Sequence, residues 1–70
     1  MLPLIYAQPG EDNVIRKVGG KPDVKKHLED MGFVTGSIVR VVSRVNGNLI
    51  VRIKDSKVAL NEELAGKIMI

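Results

Sequence analysis

Four arginines lie on apolar, strand-like stretches of this 70-residue chain and are its first candidates for chemistry. They are Arg16, Arg40, Arg44 and Arg52. An arginine presented to a partner enzyme can stabilise the charge that develops during phosphoryl transfer. Each of these arginines alternates with apolar residues, however, which is typical of the solvent-facing positions of an antiparallel strand. Because a catalytic arginine usually projects from a loop, we expect these side chains to be ordinary surface residues.

A metal site would have to use His27, which is the only histidine. Glu29 and Asp30 follow it, but side chains at positions i and i+2 of a helix do not face one another. The chain contains no cysteine, which excludes a thiolate nucleophile, a disulfide and a cysteine-rich zinc or iron–sulfur site. We therefore predict that His27 is a surface residue, that no metal ligands are present and that no cofactor is bound.

Acid–base and phosphate chemistry also lack the residues they need. The run Gly19-Gly20-Lys21 does not have the spacing of a phosphate-binding P-loop. Asp30, Glu62 and Glu63 are carboxylates with no visible partner that would tune them as an acid and a base. The sequence therefore predicts no catalytic residues and a protein that is not an enzyme.

The composition favours one small domain, residues 1–70, built mainly from strands. Hydrophobic residues make up 44% of the chain and aromatic residues only 3%, so the core consists mostly of Val, Ile and Leu. Branching at Cβ suits the pleated surface of a sheet. No apolar run approaches the roughly 18 residues of a transmembrane helix, and the first residues lack the pattern of a secretory signal. We expect a cytoplasmic protein without direct membrane insertion.

Residues 22–31 are the only segment with a clear helical period. Val24, Leu28 and Met31 fall at i, i+4 and i+7 and form one apolar stripe. Pro22 suits the first helical position, where its missing N–H would have no partner in any case. We predict a short α-helix over about residues 22–31 that packs its apolar stripe against a sheet.

The loop after this helix is the predicted interaction site. Gly32 and Gly36 are expected to form structural turns, with Gly32 at the positive φ that often follows a helix end. Between them lie Phe33 and Val34, a bulky apolar pair in a short loop that is either tucked under the helix or presented to a partner. Aromatic anchors are common at interface hot spots. If Phe33 or Val34 is exposed, docking is favoured, whereas complete burial of both would weaken this hypothesis. The predicted partner-binding residues are Leu28, Met31, Phe33 and Val34.

The rest of the chain predicts five to six short antiparallel strands. They are expected over residues 2–7 at a sheet edge, 13–18, 38–45, 49–54, 57–60 and 67–70. Within the second of them, Val14 and Val18 should lie on one face and Ile15 on the other. Asn61 is expected to cap a single helical turn that follows it.

The longest strand pair has a register problem at Asn46-Gly47. A two-residue turn there would pair Val45 with Asn48 and place Val41 opposite Arg52, which mixes an apolar face with a charged one. A three-residue loop, or a β-bulge with the same effect, keeps the apolar faces together. We predict one of these two solutions, so that the following residues share a face: Val39, Val41, Leu49, Val51 and Ile53.

Several short motifs, taken in order, resemble those of the FeoA family of the bacterial ferrous-iron uptake system. They are Pro9-Gly10-Glu11, Val18-Gly19-Gly20, Leu28-Glu29-Asp30-Met31-Gly32, Thr35-Gly36, Asn46-Gly47-Asn48-Leu49-Ile50-Val51, Val58-Ala59-Leu60, Glu62-Glu63-Leu64-Ala65 and Ile68-Met69-Ile70. The resemblance extends from Leu4 to Ile70, with Thr35 standing where the family commonly has proline. It implies a mainly β fold, a small SH3-like β-barrel of five to six short antiparallel strands with one short α-helix.

The resemblance also implies a small cytoplasmic accessory protein of ferrous-iron transport that acts through protein–protein interaction. Its implied partner is the cytoplasmic domain of a FeoB-type ferrous-iron transporter, which includes a GTPase. Self-association through an exposed barrel edge stays open. Despite the family's connection with a transition metal ion, we predict no specific Fe(II) site in this chain.

A second interpretation stays open, because the fold also resembles the C-terminal domain of iron- and manganese-dependent repressors. The net charge is +3, and a basic barrel could bind nucleic acid. A basic stripe could contain Lys25, Lys26, Arg40, Arg44, Arg52 and Lys54. Against this, only Tyr6 and Phe33 could stack on bases. We therefore expect a protein partner rather than a nucleic acid.

Overall fold

The computed structural model describes all residues, 1–70, and contains six strands, two helices and a short N-terminal turn. The strands are β1 (Asp12–Val14), β2 (Lys17–Val18), β3 (Ile38–Val45), β4 (Asn48–Ile53), β5 (Ser56–Asn61) and β6 (Ile68–Met69), and the helices are α1 (Pro22–Asp30) and α2 (Glu62–Ala65). One antiparallel sheet has the order β1-β3-β4-β5, and β2 pairs with β6 in a second sheet. The predicted number and antiparallel pairing of the strands are confirmed, although the two sheets do not close into one hydrogen-bonded barrel.

A bend between β1 and β2 carries the chain from the larger sheet to the smaller one. The Ile15 N–H donates to the Ser37 carbonyl (2.9 Å) in the larger sheet, whereas the Arg16 N–H donates to the Met69 carbonyl (2.8 Å) in the smaller. The bend buries Ile15 and leaves Val14 44% exposed. The prediction that Val14 and Val18 lie on one face and Ile15 on the other is therefore wrong, because the alternation of a strand does not continue through a change of sheet.

The first residues form a 3₁₀ turn, Leu4–Tyr6, instead of the predicted edge strand. Pro3 cannot donate to a ladder, and it makes only an isolated bridge to the smaller sheet. Arg44 on β3 holds the turn by donating from Nη2 to the carbonyls of Ile5 (2.5 Å) and Ala7 (2.9 Å). The turn places Leu4 in the core, which an edge strand would not have required.

The helix α1 confirms the predicted segment and its apolar stripe. Pro22 occupies the first helical turn. Leu28 is fully buried, and Val24 and Met31 pack against the core from partly buried positions. Gly32 follows the helix with a φ of +105°. Neither α1 nor α2 combines the length and the apolar character that a membrane span requires.

The β3–β4 hairpin keeps its apolar faces together by means of a bulge. Its turn is the two-residue Asn46-Gly47, with φ angles of 49° and 80°, as in a type I′ turn. Val42 is an extra residue on β3 that shifts the register, so that Val41 lies opposite Val51. The three-residue loop is therefore wrong and the alternative, a bulge, is confirmed.

The core consists of 14 buried hydrophobic residues drawn from both sheets and both helices, and no polar or charged residue is buried. It includes all five residues predicted to share the inner face of the β3–β4 hairpin. The other members are Leu4, Ala7, Ile15, Val18, Leu28, Phe33, Leu60, Ala65 and Ile68. The predicted aliphatic core is confirmed, with Phe33 as its single aromatic member.

Asn61 caps α2 as the sequence predicts, because its Oδ1 accepts a hydrogen bond from the Leu64 N–H at 2.8 Å. Replacing Asn61 by alanine should lower the free energy of unfolding by about 1 kcal/mol, the usual effect of losing such a cap. Chemical denaturation followed by circular dichroism measures this. Asn61→Ser is the matched control, because serine caps about as well as asparagine. Equal stability of the Ala and Ser variants would contradict the prediction.

Candidate interaction surface

Two of the four candidate arginines make contacts within the protein. Arg40 Nε donates to Asp12 Oδ1 at 2.8 Å, and this hydrogen bond, together with the carboxylate charge, raises the pKa of Arg40. Arg44 donates to the carbonyls of the N-terminal turn. Arg16 lies at the bend between β1 and β2, and Arg52 lies on β4, both exposed and outside the two ion pairs of the chain. Three of the four therefore lie within strands, and only Arg16 lies outside one.

The predicted surface position of His27 is confirmed, since its side chain is exposed on α1. On the same helix, Lys26 Nζ pairs with Asp30 Oδ2 at 3.4 Å, and both side chains are largely exposed. An exposed ion pair of this kind contributes little to stability. No three His, Asp or Glu side chains come together as a metal site would require, and the expectation that no metal ion is bound stays a prediction.

The four predicted partner-binding residues divide between the core and the surface. Leu28 and Phe33 have exposed fractions of 0%, so neither can touch a partner in this conformation. Met31 and Val34 are half-buried. Phe33 therefore lies in the core, whereas Val34 is not completely buried. Since only one of this pair is fully buried, partner binding beside the helix stays a prediction. Of the four predicted residues, only Met31 and Val34 are partly accessible to a partner.

The loop that contains Phe33 is held by backbone hydrogen bonds and by two glycines with positive φ. The Phe33 N–H donates to the Leu28 carbonyl at 3.0 Å, and the Gly36 N–H donates to the Ile15 carbonyl at 2.7 Å. Gly32 and Gly36 have φ angles of +105° and +93°, values that side chains rarely adopt. The structural role predicted for these glycines agrees with the observed turns, which direct Phe33 inward.

The larger sheet has one side against the core and one side in solvent, and we call the solvent side the outer face. Its residues are Asp12 and Val14 on β1, Ile38, Arg40, Val42 and Ser43 on β3, Ile50 and Arg52 on β4, and Lys57 and Ala59 on β5. All are exposed except the half-buried pair Ser43 and Ile50. The outer face therefore presents both charged and aliphatic side chains to solvent.

A row of charged side chains crosses the middle of the outer face. Asp12 lies opposite Arg40, Arg40 opposite Arg52, and Arg52 opposite Lys57. We call Arg40, Arg52 and Lys57 the basic row. Asp12 neutralises its β1 end through the 2.8 Å contact with Arg40, whereas neither Arg52 nor Lys57 belongs to an ion pair. Two uncompensated positive charges therefore lie side by side on the outer face.

Aliphatic side chains flank the basic row on both sides. On one side Val14 lies opposite Ile38, with exposed fractions of 44% and 49%. Farther along the strands on the other side are Val42 of the bulge, which is 39% exposed, and the half-buried Ile50. Single exposed aliphatic residues are ordinary, but here they border one charged row. The arrangement offers apolar contact on either side of a positive centre.

A cleft of about 470 Å³ lies beside the smaller sheet. Its lining residues are Met1, Pro3, Lys17, Gly19, Gly20, Gly66, Lys67 and Met69. It contains no carboxylate, imidazole or hydroxyl group, so the side chains that line it can supply only lysine ammonium groups and apolar contact.

Sequence reasoning recognised the outward direction of Arg40 and Arg52 but missed their alignment with Lys57. It also placed Val14 with the core residue Val18. The signal that was available was the alternation within β3 and β4, which puts an arginine between two buried residues on each strand. The register that lines these arginines up depends on the bulge at Val42, and no residue pattern marks that position.

Comparison with known proteins gives a consistent result for the whole chain. The family model of the FeoA domain matches residues 2–70. Fe(2+) transport protein A of Methanocaldococcus jannaschii is 34% identical over 70 residues, a match that covers 100% of this chain and 85% of the relative.

Solved structures agree in fold. The crystal structure of Stenotrophomonas maltophilia FeoA complexed with zinc, a prokaryotic SH3 domain protein, superimposes with a TM-score of 0.86 at 21% identity, covering 99% of this chain and 88% of that one. A manganese-dependent transcriptional repressor gives a TM-score of 0.84 at 22% identity and covers 94% of this chain but only 38% of its own. At these identities the likeness concerns the fold alone, which is therefore SH3-like.

Proposed function

This chain belongs to the FeoA family, and from that premise we propose that it is an accessory protein of ferrous-iron transport that acts by binding another protein. The observation that carries the proposal is the match of the family model to residues 2–70. The relative named Fe(2+) transport protein A supports it, since that match covers nearly all of both chains. The proposed location is the cytoplasm, and the proposed partner is the cytoplasmic domain of a FeoB-type transporter.

The chemistry of the surface supports a binding role. The outer face offers exposed aliphatic side chains for apolar contact together with an uncompensated arginine and lysine, and arginine is enriched at protein interfaces. Three of the four candidate arginines do not support a catalytic finger, because Arg40 and Arg44 already have partners in the protein and Arg52 lies within β4. The fourth, Arg16, is exposed at the short bend between β1 and β2, and the GTPase measurement tests it. We therefore propose a binding protein rather than one that supplies a reacting group.

Binding to the transporter tests this proposal directly. We expect saturable binding when the protein is titrated into the purified cytoplasmic domain of the FeoB-type transporter from the same organism, measured by calorimetry. The GTPase rate of that domain should change by far less than the roughly 10³–10⁵-fold that an arginine finger supplies. An unrelated GTPase domain is the control. Absence of binding at concentrations well above the micromolar range would contradict the proposal.

The alternative of a nucleic-acid-binding domain finds little support in the placement of the basic residues. Lys25 and Lys26 lie on α1, Arg40 and Arg52 on the larger sheet, and Arg44 against the N-terminal turn. The last member of the predicted stripe, Lys54, lies in the turn after β4, so the stripe is spread over several elements. Since the likeness to a repressor concerns the fold alone, no specific observation favours this function.

A further inference from the structure

We propose that the outer face of the larger sheet is the docking surface of this protein, and that it binds an acidic protein surface bordered by apolar residues. The inference rests on the proposed function, because the partner is taken to be the cytoplasmic domain of the transporter. It differs from the hypothesis drawn from the sequence, which placed the interaction beside α1. The basic row supplies the charged centre of the docking surface, and the flanking aliphatic residues supply its apolar part.

The first argument is the arrangement of charge in the basic row. Residues directly opposite on antiparallel strands have Cβ atoms about 4.5–5.5 Å apart, and like charges at such positions destabilise a sheet. Arg52 has a like charge opposite it on both sides, Arg40 on β3 and Lys57 on β5. The only carboxylate in the row, Asp12, lies at the far end, on Arg40. A carboxylate-bearing partner would neutralise Arg52 and Lys57 and relieve this repulsion.

The second argument is the position of the exposed aliphatic residues. Val14 and Ile38 form a cross-strand pair next to the basic row, and both are more than 40% exposed. Burying this pair on association would be favourable because it removes apolar surface from water. The charges then provide attraction and orientation, since electrostatic complementarity mainly sets the rate and specificity of association.

The same features favour a protein over two other occupants. A nucleic acid would gain little from Val14 and Ile38, and the face carries no aromatic side chain on which a base could stack. A second copy of this chain in a two-fold symmetric dimer presents the same patch on both subunits, so it would bring two basic rows together. An acidic protein surface matches both the charge and the apolar border.

The outer face also fits better than the helix side of the molecule. Met31 and Val34 are both half-buried, and the other two apolar residues predicted there, Leu28 and Phe33, are inaccessible. By contrast, Val14, Ile38 and the basic row are all exposed on a sheet. A site carried by helices or strands is held more precisely than one carried by a loop.

The experiment compares the binding of charge-removing and apolar-to-polar variants to the cytoplasmic domain of the transporter by calorimetric titration. The test variant is the double substitution Arg52→Gln with Lys57→Gln, and the apolar test variant is Ile38→Thr, which keeps a β-branched residue in the strand. The matched control is Arg16→Gln, which removes an exposed arginine at the bend between the sheets. Val34→Thr tests the helix side. Each variant is also followed by thermal unfolding.

We expect the double variant to bind roughly tenfold or more weakly and to show a flatter dependence of the dissociation constant on salt. Ile38→Thr should weaken binding severalfold, and Arg16→Gln less than about twofold. The melting temperature of the double variant should be unchanged or higher, because a like-charge repulsion has been removed. A purely structural role of Arg52 and Lys57 would lower the melting temperature instead.

Two results would overturn the inference while leaving the proposed function in place. One is normal binding by the double variant and by Ile38→Thr, with weaker binding by Val34→Thr, which would locate the interface beside α1. The other is a free protein that is oligomeric in solution and becomes monomeric in the Ile38→Thr variant. That result would make the outer face a contact between copies of this chain. Lack of binding by the unmodified protein would overturn the inference and the proposed function together.

A titration of nucleic acids with the protein completes the test. A fluorescent duplex DNA and a single-stranded RNA, each of about 20 nucleotides, are titrated with the unmodified protein at moderate salt. We expect no saturable binding at micromolar protein. Saturable binding that falls steeply with salt and is lost in the double variant would assign the basic row to a nucleic acid and overturn the inference.

Discussion

Replacing Phe33 by alanine should lower the free energy of unfolding by about 3–5 kcal/mol, the range for deleting a buried aromatic side chain. Phe33 is the largest fully buried residue, with an exposed fraction of 0%. At about 0.05–0.15 kcal/mol per residue, a chain of 70 residues has a total stability of only about 4–10 kcal/mol. The variant should therefore lose much or all of its cooperative unfolding transition, measured by urea denaturation with circular dichroism.

Two further variants test whether the loss of stability in Phe33→Ala comes from the removal of a buried apolar side chain. Tyr6→Ala removes the other aromatic side chain, which is 61% exposed, and should change stability by less than about 0.5 kcal/mol. Phe33→Leu keeps a large apolar side chain and should be tolerated better than alanine. If Phe33→Ala unfolded like the unmodified protein, the assignment of Phe33 to the core would be wrong. Because the Ala variant is expected to be poorly folded, partner binding should be compared in the Leu variant.

Gly32→Val should lower the free energy of unfolding by about 1–3 kcal/mol from backbone strain alone, since Gly32 has a φ of +105°. The site is also enclosed, since Gly32 is buried. A Cβ placed on Gly32 would itself be in ordinary van der Waals contact, 3.5 Å from Ile53 Cγ1 and 3.8 Å from Lys54 Cδ, so any crowding would come from the two methyl groups that valine adds beyond it. The measurement is chemical denaturation of both proteins under the same conditions.

Gly36→Val is the matched control for this prediction. Gly36 has a similar φ of +93°, but a Cβ there would meet no atom within 4 Å. Gly36→Val therefore measures strain without crowding, and the difference between the two variants measures the contact with Ile53. Equal losses would mean that crowding at Gly32 is negligible, and a loss below about 0.5 kcal/mol at both sites would contradict the strain argument.

The core and the proposed docking surface use opposite sides of the same strands. On β3 and β4, Val39, Val41 and Val51 are buried in the core. Arg40 and Arg52, which alternate with them, are exposed on the outer face. Substitutions on the outer face can therefore change binding without opening the core. Substitutions at Leu28 or Phe33 act on folding first, and their effect on binding has to be separated from their effect on stability.

The sequence by itself determined the elements whose signals are local. The helical period and Pro22 located α1, Gly32 and Gly36 marked the turns, and Asn61 marked the cap of α2. Alternation in β3 and β4 identified the inner face of the hairpin. These predictions succeeded because capping, periodicity and positive φ depend on residues that are close together in the chain.

Only the tertiary structure decided the features that depend on distant parts of the chain. The bend at Ile15 and Arg16 results from pairing with two different sheets, and the N-terminal turn is held by Arg44 on β3. Sequence could not tell whether Phe33 is buried or exposed, because an apolar residue between two glycines suits either position. The basic row exists only after the bulge sets the register of β3 against β4, since cross-strand neighbours come from separate segments.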